Sequence, residues 1–239
     1  MSVVEWKKEG TVAVVTMANG ENRHNPEFVR AMLQAFDEVE RDTTVYSVVL
    51  TSNDKKNWSL GIDLDWIMDI ANKQEIETIK EFLYGLNRMF ARVLLFPTPV
   101  IAAINGHTFG DGTILACACD FRLMKADKGY FCLPEVDINI PLLPAMQAIV
   151  KKAMPYYKFV EIVLTGKRAT APELAESHVL VKACENQEAL MRETLAFAQT
   201  FTKQRPIFSE LKKRMNKHII EIMECEDPEF INTGQLLKM

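Results

Sequence analysis

The chain has 239 residues, of which 48% are apolar and 25% are charged, as in an ordinary globular protein. A chain of this length can bury a full core, and we expect one α/β core over residues 1–185 with a helical region over residues 186–239. The 28 basic and 32 acidic residues give a net charge of −4 without a long basic run, which argues against a nucleic-acid partner.

The five cysteines and four histidines are too scattered to predict disulfides or a metal site. Cys117 and Cys119 are expected to be small buried residues of a helix. No apolar run approaches ~20 residues, so we expect no membrane span. The first residues lack the pattern of a targeting peptide, and residues 236–239 do not form a peroxisomal address, so a cytoplasmic protein is expected.

Strands and helices alternate along the first part of the chain. Residues 10–17 are rich in β-branched side chains and predict a strand. Asn25 and Pro26 then predict the N-cap and the first residue of a helix. The apolar side chains that recur after them at helical spacing are Phe28, Met32, Phe36 and Val39.

The same alternation continues to about residue 140 and implies parallel βαβ units with right-handed crossovers. Further strands are predicted over residues 45–52, 100–104, 121–124 and 129–133, and further helices from Asp63 and over residues 76–95 and 113–119. Beyond residue 141 we predict one short strand over residues 179–181. A capping box at Thr170 opens a helix there, and two amphipathic helices follow over residues 187–203 and 206–223.

Two glycine-containing loops, residues 57–64 and 105–112, each connect a strand to a helix. Glycine permits close backbone approaches, and a helix N-terminus presents unpaired N–H groups. Two such loops side by side could direct two N–H groups at one oxygen, which is the design of an oxyanion hole. From the spacing alone, ordinary tight strand-to-helix turns are the favoured interpretation of these loops.

Glu135 follows a possible strand in a strongly apolar stretch. A desolvated carboxylate has a raised pKa and can act as a general base, whereas an exposed loop glutamate is the alternative interpretation. Ser59 and Cys132 could act as nucleophiles, but neither has a histidine partner nearby in the sequence.

Three segments in this order resemble the crotonase, or enoyl-CoA hydratase/isomerase, family, and the resemblance spans about residues 3 to 200. Residues 59–64 (Ser-Leu-Gly-Ile-Asp-Leu) are similar to the family's Ala-Gly-x-Asp-Leu loop. Residues 103–112 (Ala-Ile-Asn-Gly-His-Thr-Phe-Gly-Asp-Gly) are similar to Ala-x-x-Gly-x-x-x-Gly-Gly-Gly. Residues 131–135 (Phe-Cys-Leu-Pro-Glu) are similar to Phe-x-x-Pro-Glu.

This resemblance implies a crotonase-like fold of repeated ββα/βαβ units whose helical C-terminal region forms a homotrimer or a dimer of trimers. It implies an acyl-CoA thioester substrate and no separate cofactor, since coenzyme A is part of the substrate. By position, the N–H groups of Ile62 and Asp111 would bind the thioester oxygen, and Glu135 would be the catalytic base. The implied substrate-binding residues are Arg23, Leu60, Gly61, Asp63, Leu64 and Gly110.

The resemblance is greatest to the enoyl-CoA isomerases with one glutamate. Ile114 stands where the family's hydratases have their first glutamate, while Glu135 fills the second position. One base in an apolar pocket suits the shift of a double bond from 3-enoyl-CoA to 2-enoyl-CoA. Asp111 replaces a glycine of the family pattern, and its carboxylate faces a developing negative charge unless it points away.

Two alternatives stay open. The chain could be another crotonase enzyme, such as an enoyl-CoA hydratase, a thioester hydrolase or a lyase, with Asp111 or Asp137 positioning water. It could also be a catalytically weak acyl-CoA-binding protein, as the altered glycine-rich loop suggests.

Overall fold

The structure is a computed structural model that describes residues 2–234. Residues 236–239, on which the expected lack of a peroxisomal address depends, lie outside the described residues, as does the end of the predicted helical region. In chain order, the strands are β1 (Val4–Glu9), β2 (Val12–Met17), β3 (Arg23–His24), β4 (Ser47–Ser52), β5 (Asn57–Ser59), β6 (Gly61–Ile62), β7 (Val100–Ile104), β8 (His107–Phe109), β9 (Phe121–Lys125), β10 (Phe131–Cys132) and β11 (Lys182–Cys184).

Helices connect these strands and form the last part of the described chain. They are α1 (Pro26–Arg41), α2 (Leu64–Asn72), α3 (Ile76–Leu94), α4 (Asp111–Ala118), α5 (Glu135–Ile138), α6 (Pro144–Lys152), α7 (Tyr156–Thr165), α8 (Ala171–Glu176), α9 (Gln187–Gln199), α10 (Arg205–Cys225) and α11 (Asp227–Thr233). Within residues 2–234, no helix combines the length and the apolar character needed to cross a membrane.

The main sheet has six strands in the order β1-β2-β4-β7-β9-β11. All neighbours are parallel except β1 and β2, which form an antiparallel pair. Helices connect the parallel strands, because a parallel pair cannot be joined by a tight turn. The predicted α/β class is therefore confirmed.

The first helix forms where the sequence predicts it. The Asn25 side chain accepts a hydrogen bond from the N–H of Phe28 at 3.0 Å, and Pro26 is the first helical residue. The apolar face of α1 is buried against the main sheet and α3. The predicted amphipathic side chains of this face are all buried: Phe28, Met32, Phe36 and Val39.

Alternating residues of the sheet contribute to two cores. Val15 and Met17 belong to the large core beneath α1, α3, α4 and α6, whereas Val12 and Val14 face the other side. Helix α9 covers that other side, and Ser47 donates a hydrogen bond to Ala198 O at 2.9 Å. The first helix of the predicted C-terminal region thus packs directly on the sheet, and the predicted boundary at residue 185 stays a prediction.

Two small sheets bring the glycine-containing loops together. Strands β5, β8 and β10 form a parallel sheet in which Thr108 pairs with both Ser59 and Phe131. Strands β3 and β6 form a second parallel pair that places His24 opposite Ile62. All three segments that carry the family resemblance therefore lie at one place in the fold.

The sequence-based assignment differs from the structure at several strands. Strand β1 was not predicted, and β5, β6 and β8 lie within segments that were predicted to be loops. The strand predicted over residues 179–181 begins three residues later at Lys182, because the N–H groups of Val179 and Leu180 both bond to Leu174 O at the end of α8. Strands of two or three residues form through pairing with distant segments, which leaves no periodic pattern in the sequence.

The N-cap of α1 gives a direct test of the folded structure. Asn25→Ala removes the only side-chain acceptor that we observe for the first turn, and we expect a loss of about 1 kcal/mol in the free energy of unfolding. Asn25→Ser keeps a capping oxygen and should lose much less. Urea unfolding monitored by circular dichroism compares the two variants, and equal losses would contradict the capping role.

Candidate active site

An apolar cavity of about 280 Å³ lies between the loops that precede α2 and α4 and the segment that contains α5. Loop residues, α3 and α6 contribute to its wall, in which most residues are apolar and three are charged. The residues that line it are Arg23, Leu60, Ile62, Leu64, Ile67, Ile79, Leu83, Phe109, Gly110, Asp111, Ile114, Pro134, Glu135, Ile138, Ile140, Pro141, Leu142, Leu143 and Met146.

The two glycine-containing loops touch each other through their main chains. A Cβ atom at Gly61 would lie 2.7 Å from Phe109 O and 2.8 Å from the nitrogen of Asp111, and one at Gly112 would lie 2.6 Å from Ser59 O. Real side chains do not fit at such distances. Glycine at both positions thus lets Ile62 of β6 and Asp111, the first residue of α4, share one end of the cavity.

Glu135 is the first residue of the short helix α5 and lies at the cavity wall. Its Oε1 lies 3.3 Å from the place where a Cβ atom of Gly110 would be, so a side chain at Gly110 would crowd the carboxylate. Burial raises the pKa of Glu135 to about 7, and the negative charge of Asp111 contributes in the same direction. Glu135 Oε2 is buried without a hydrogen-bond partner among residues 2–234. The carboxylate is thus in a position to exchange a proton with a molecule in the cavity.

Asp111 also reaches the cavity wall, but its carboxylate is paired inside the protein. Its Oδ2 lies 2.5 Å from Nδ1 of His24, and both side chains are buried. The Asp111 main-chain nitrogen belongs to the first turn of α4, where N–H groups have no partner within the helix. Asp111 therefore lies at the cavity wall with a main-chain N–H that has no partner within the helix, while its carboxylate contacts His24.

Ser59 has a histidine partner that the local sequence did not reveal. His24 lies 35 positions earlier in the chain, yet its Nε2 is 3.0 Å from Ser59 Oγ. Ser59 is fully buried and is not part of the cavity wall. The proximity would suggest a nucleophile, but a substrate in the cavity cannot reach the hydroxyl.

Four of the six predicted substrate-binding residues line the cavity, namely Arg23, Leu60, Leu64 and Gly110. The other two lie beside it. Gly61 makes the close contact between the loops, and Asp63 caps α2 by accepting a hydrogen bond from Trp66 N at 3.2 Å. The roles of all six toward a substrate stay predictions.

Sequence reasoning did not identify the apolar wall opposite the loops. Ile138, Ile140, Leu142 and Leu143 lie in and after α5, and Met146 is in α6. An unusual density of apolar residues between Val136 and Leu143 was the available signal, since no regular element explains it. Ile114 of α4 lines the same cavity, so the position at which the resemblance implies a hydratase glutamate faces the site.

Comparison with known proteins agrees with this architecture. The family model described as Enoyl-CoA hydratase/isomerase matches residues 7–226. A putative enoyl-CoA hydratase of Thermus thermophilus is 31% identical over 213 residues, which cover 87% of this chain and 81% of that protein. Enoyl-CoA delta isomerase 3 of Arabidopsis thaliana is 23% identical over 224 residues, covering 91% of this chain and 94% of that protein.

A crystal structure of an enoyl-CoA hydratase/isomerase family protein from Pseudomonas syringae superposes with a TM-score of 0.85 at 22% identity, covering 96% of this chain and 97% of that one. This similarity confirms the predicted crotonase-like fold, and the family match accounts for the three motif segments. The chain is therefore a member of the enoyl-CoA hydratase/isomerase family of the crotonase superfamily.

Proposed function

We propose that this protein converts 3-enoyl-CoA thioesters to 2-enoyl-CoA thioesters, with Glu135 as the only acid–base group. One observation carries the proposal. The carboxylate of Glu135 is buried at the wall of an apolar cavity with Oε2 unpaired among the described residues, while Ile114 lines the cavity at the position of the hydratase glutamate. A single base that faces an apolar site suits a proton transfer between two carbons of one substrate.

Two N–H groups are arranged to bind the thioester oxygen. The N–H of Asp63 bonds to His24 O at 2.9 Å, so the N–H of Ile62, one residue earlier, is directed to the other side of β6. Ile62 lines the cavity there, beside the first turn of α4 and the N–H of Asp111. This arrangement supports an oxyanion hole, in which one donor typically accounts for about 3 kcal/mol of the barrier.

In the proposed reaction, the ionised Glu135 removes a proton from C2 of the substrate. The electron pair of that C–H bond forms the C1–C2 double bond of a dienolate, and the carbonyl π pair moves to the thioester oxygen, which carries the negative charge. When the carbonyl bond forms again, the C1–C2 pair becomes the C2–C3 double bond, and the former C3–C4 π pair takes the proton back from Glu135 at C4. The product is the conjugated 2-enoyl thioester. Apolar surroundings limit the access of water, which would otherwise add to the product.

The rest of the pocket fits the two ends of such a substrate. The apolar wall formed by Ile79, Leu143 and Met146 suits a hydrocarbon chain, and the guanidinium of Arg23 suits the phosphates of coenzyme A. The reaction requires no cofactor beyond the coenzyme A of the substrate itself.

Enoyl-CoA hydration is the second candidate. It is favoured by the relative from Thermus thermophilus, whose identity of 31% exceeds the 23% of the delta isomerase from Arabidopsis thaliana. A hydratase would need a second group to hold water, and Asp111 is the other carboxylate at the cavity wall. Its pairing with His24 supports the isomerase over the hydratase.

We also propose the homotrimeric assembly that the resemblance implies. Ile207, Leu211 and Met215 follow one another at steps of four along α10 and are exposed, so this helix has an apolar face available to a second copy. The trimer, a dimer of trimers and the cytoplasmic location stay predictions, and mass measurement in solution tests the first two.

Glu135→Gln tests the proposed base. Because glutamine cannot accept the proton, we expect kcat for 3-enoyl-CoA to fall about 10²- to 10⁴-fold while binding of the thioester is kept. Asp137→Asn is the matched control, since Asp137 lies two residues later in α5 and is exposed outside the cavity wall. Formation of the conjugated product is followed by its ultraviolet absorbance, and full activity of Glu135→Gln would exclude Glu135 as the base.

The pH dependence follows from the raised pKa of Glu135. The base must be ionised, so kcat/KM should be constant above pH ~8 and fall about tenfold per pH unit below a midpoint near the value of about 7 that burial imposes. The residual activity of Glu135→Gln should lack this midpoint. A profile that stays flat between pH 5 and pH 8 would contradict a buried carboxylate as the base.

Hydration is tested by incubating the protein with 2-enoyl-CoA and measuring the mass of the product. We expect no gain of one water at a rate comparable with isomerisation, because Ile114 cannot activate water. Rapid formation of 3-hydroxyacyl-CoA would establish the hydratase instead. Release of free coenzyme A would indicate a thioester hydrolase, and binding without any turnover would indicate an acyl-CoA-binding protein.

A further inference from the structure

The side chains of His24, Asp111 and Ser59 form a hydrogen-bonded array beside the cavity. The ring of His24 contacts Asp111 Oδ2 through Nδ1 at 2.5 Å and Ser59 Oγ through Nε2 at 3.0 Å. His24 and Ser59 are 0% exposed and Asp111 is 3% exposed. Burial strengthens the hydrogen bonds within this array, and it makes any polar group that loses its partner costly.

The array contains the residue types of a hydrolytic Ser-His-Asp triad, but the hydroxyl of Ser59 already has main-chain hydrogen-bond partners. Ser59 Oγ donates to Asn22 O at 2.8 Å and accepts from the N–H of Gly61 at 3.1 Å. A hydroxyl has one proton, and here that proton is used by Asn22 O, while the hydroxyl oxygen also contacts His24 Nε2 at 3.0 Å. The serine therefore serves as a connection between the histidine and the loop, and not as a nucleophile.

His24 connects every segment that presents an N–H group to the thioester. Its ring bonds to the side chain of Asp111 at the start of α4, and through Ser59 to the loop that ends at Ile62. Its own main-chain oxygen accepts the N–H of Asp63 at 2.9 Å. A displacement of this one residue would move both N–H donors relative to each other.

The orientation of the Asp111 carboxylate depends on the same residue. Its second oxygen, Oδ1, is buried and has no hydrogen-bond partner within residues 2–234, so the bond from Oδ2 to His24 is the contact that holds the group. Asp111 also lines the cavity. Without that bond, the carboxylate is free to turn toward the thioester oxygen and Glu135, where its charge would oppose the negative charge of the intermediate.

We propose that His24 is a positioning residue of the site: it holds the Asp111 carboxylate away from the thioester oxygen and fixes the two N–H donors relative to each other. This inference rests on the proposed function, since it concerns the oxyanion hole of that reaction. It also explains how a carboxylate occupies a position where a glycine is expected, because His24 supplies its partner.

Three variants test the proposal: His24→Leu, Asp111→Gly, and the two combined. His24→Leu should lower kcat about 10²-fold with KM changed less than about threefold, since the donors are misplaced while the binding surfaces are kept. The combined variant has neither a buried unpaired carboxylate nor a buried unpaired imidazole. Because glycine at position 111 keeps the main-chain N–H group, we expect the combined variant to recover most of the lost kcat. We also expect the combined variant to fold even if His24→Leu does not.

The pH profile separates a positioning role from a purely structural one. The charged groups that face the cavity are Glu135 on α5, Asp111 on α4 and Arg23 on β3. Freeing the Asp111 charge in His24→Leu should move the midpoint of kcat/KM to higher pH, and removing it in the combined variant should move the midpoint below that of the wild type. A combined variant as slow as His24→Leu, or midpoints that do not move, would overturn the proposal.

A measurement without substrate distinguishes a failure of the positioning role of His24 from a failure of the proposed isomerase function. The short contact between His24 and Asp111 should give a far-downfield imidazole N–H proton resonance in the wild type that is lost in both single variants. If the wild type has this resonance but does not isomerise 3-enoyl-CoA, the proposed function fails, and the same variants are compared on hydration of 2-enoyl-CoA. Unchanged hydration in His24→Leu would then exclude the positioning role as well.

Discussion

Two strand-to-helix loops contact each other through their main chains, and this contact places the segments of the candidate site next to each other. Gly61 lies against Phe109 and the nitrogen of Asp111, and Gly112 lies against Ser59, at distances that leave no room for a Cβ atom. The parallel pairing of β5 with β8 brings the loops together, and the start of α4 directs its free N–H groups toward the same point. The main-chain contact thus places Ile62 and Asp111 at one end of the cavity.

The two carboxylates at the cavity differ because their surroundings differ. Oδ2 of Asp111 contacts Nδ1 of His24 at 2.5 Å. Glu135 has no such partner among the described residues, and burial together with the charge of Asp111 raises its pKa to about 7. Two acidic groups in different environments can have different roles, one held in place and one able to transfer protons.

The family fold accommodates several reactions, so the chemistry is decided by a few positions on a common frame. In this chain the frame is shared with proteins named as hydratases and as isomerases, at identities of 31% and 23% for the relatives from Thermus thermophilus and Arabidopsis thaliana. The feature on which the proposed isomerase activity rests is local: Ile114 faces the cavity from α4, and Glu135 faces it from α5. An apolar side chain in place of a carboxylate leaves one acid–base group at the cavity that is not already paired.

The α/β class, the N-cap and buried face of α1, and the order of the three motif segments that place the chain in its family could all be predicted from the amino-acid sequence. These features depend on residues close together in the chain, where periodicity, capping and glycine act locally. The contact of Ser59 and Asp111, 52 positions apart by their numbers, with the same imidazole of His24 is visible only in the folded chain. The short strands β3, β5, β6 and β8 create that proximity by pairing distant segments, and no local sequence pattern records which segments will pair.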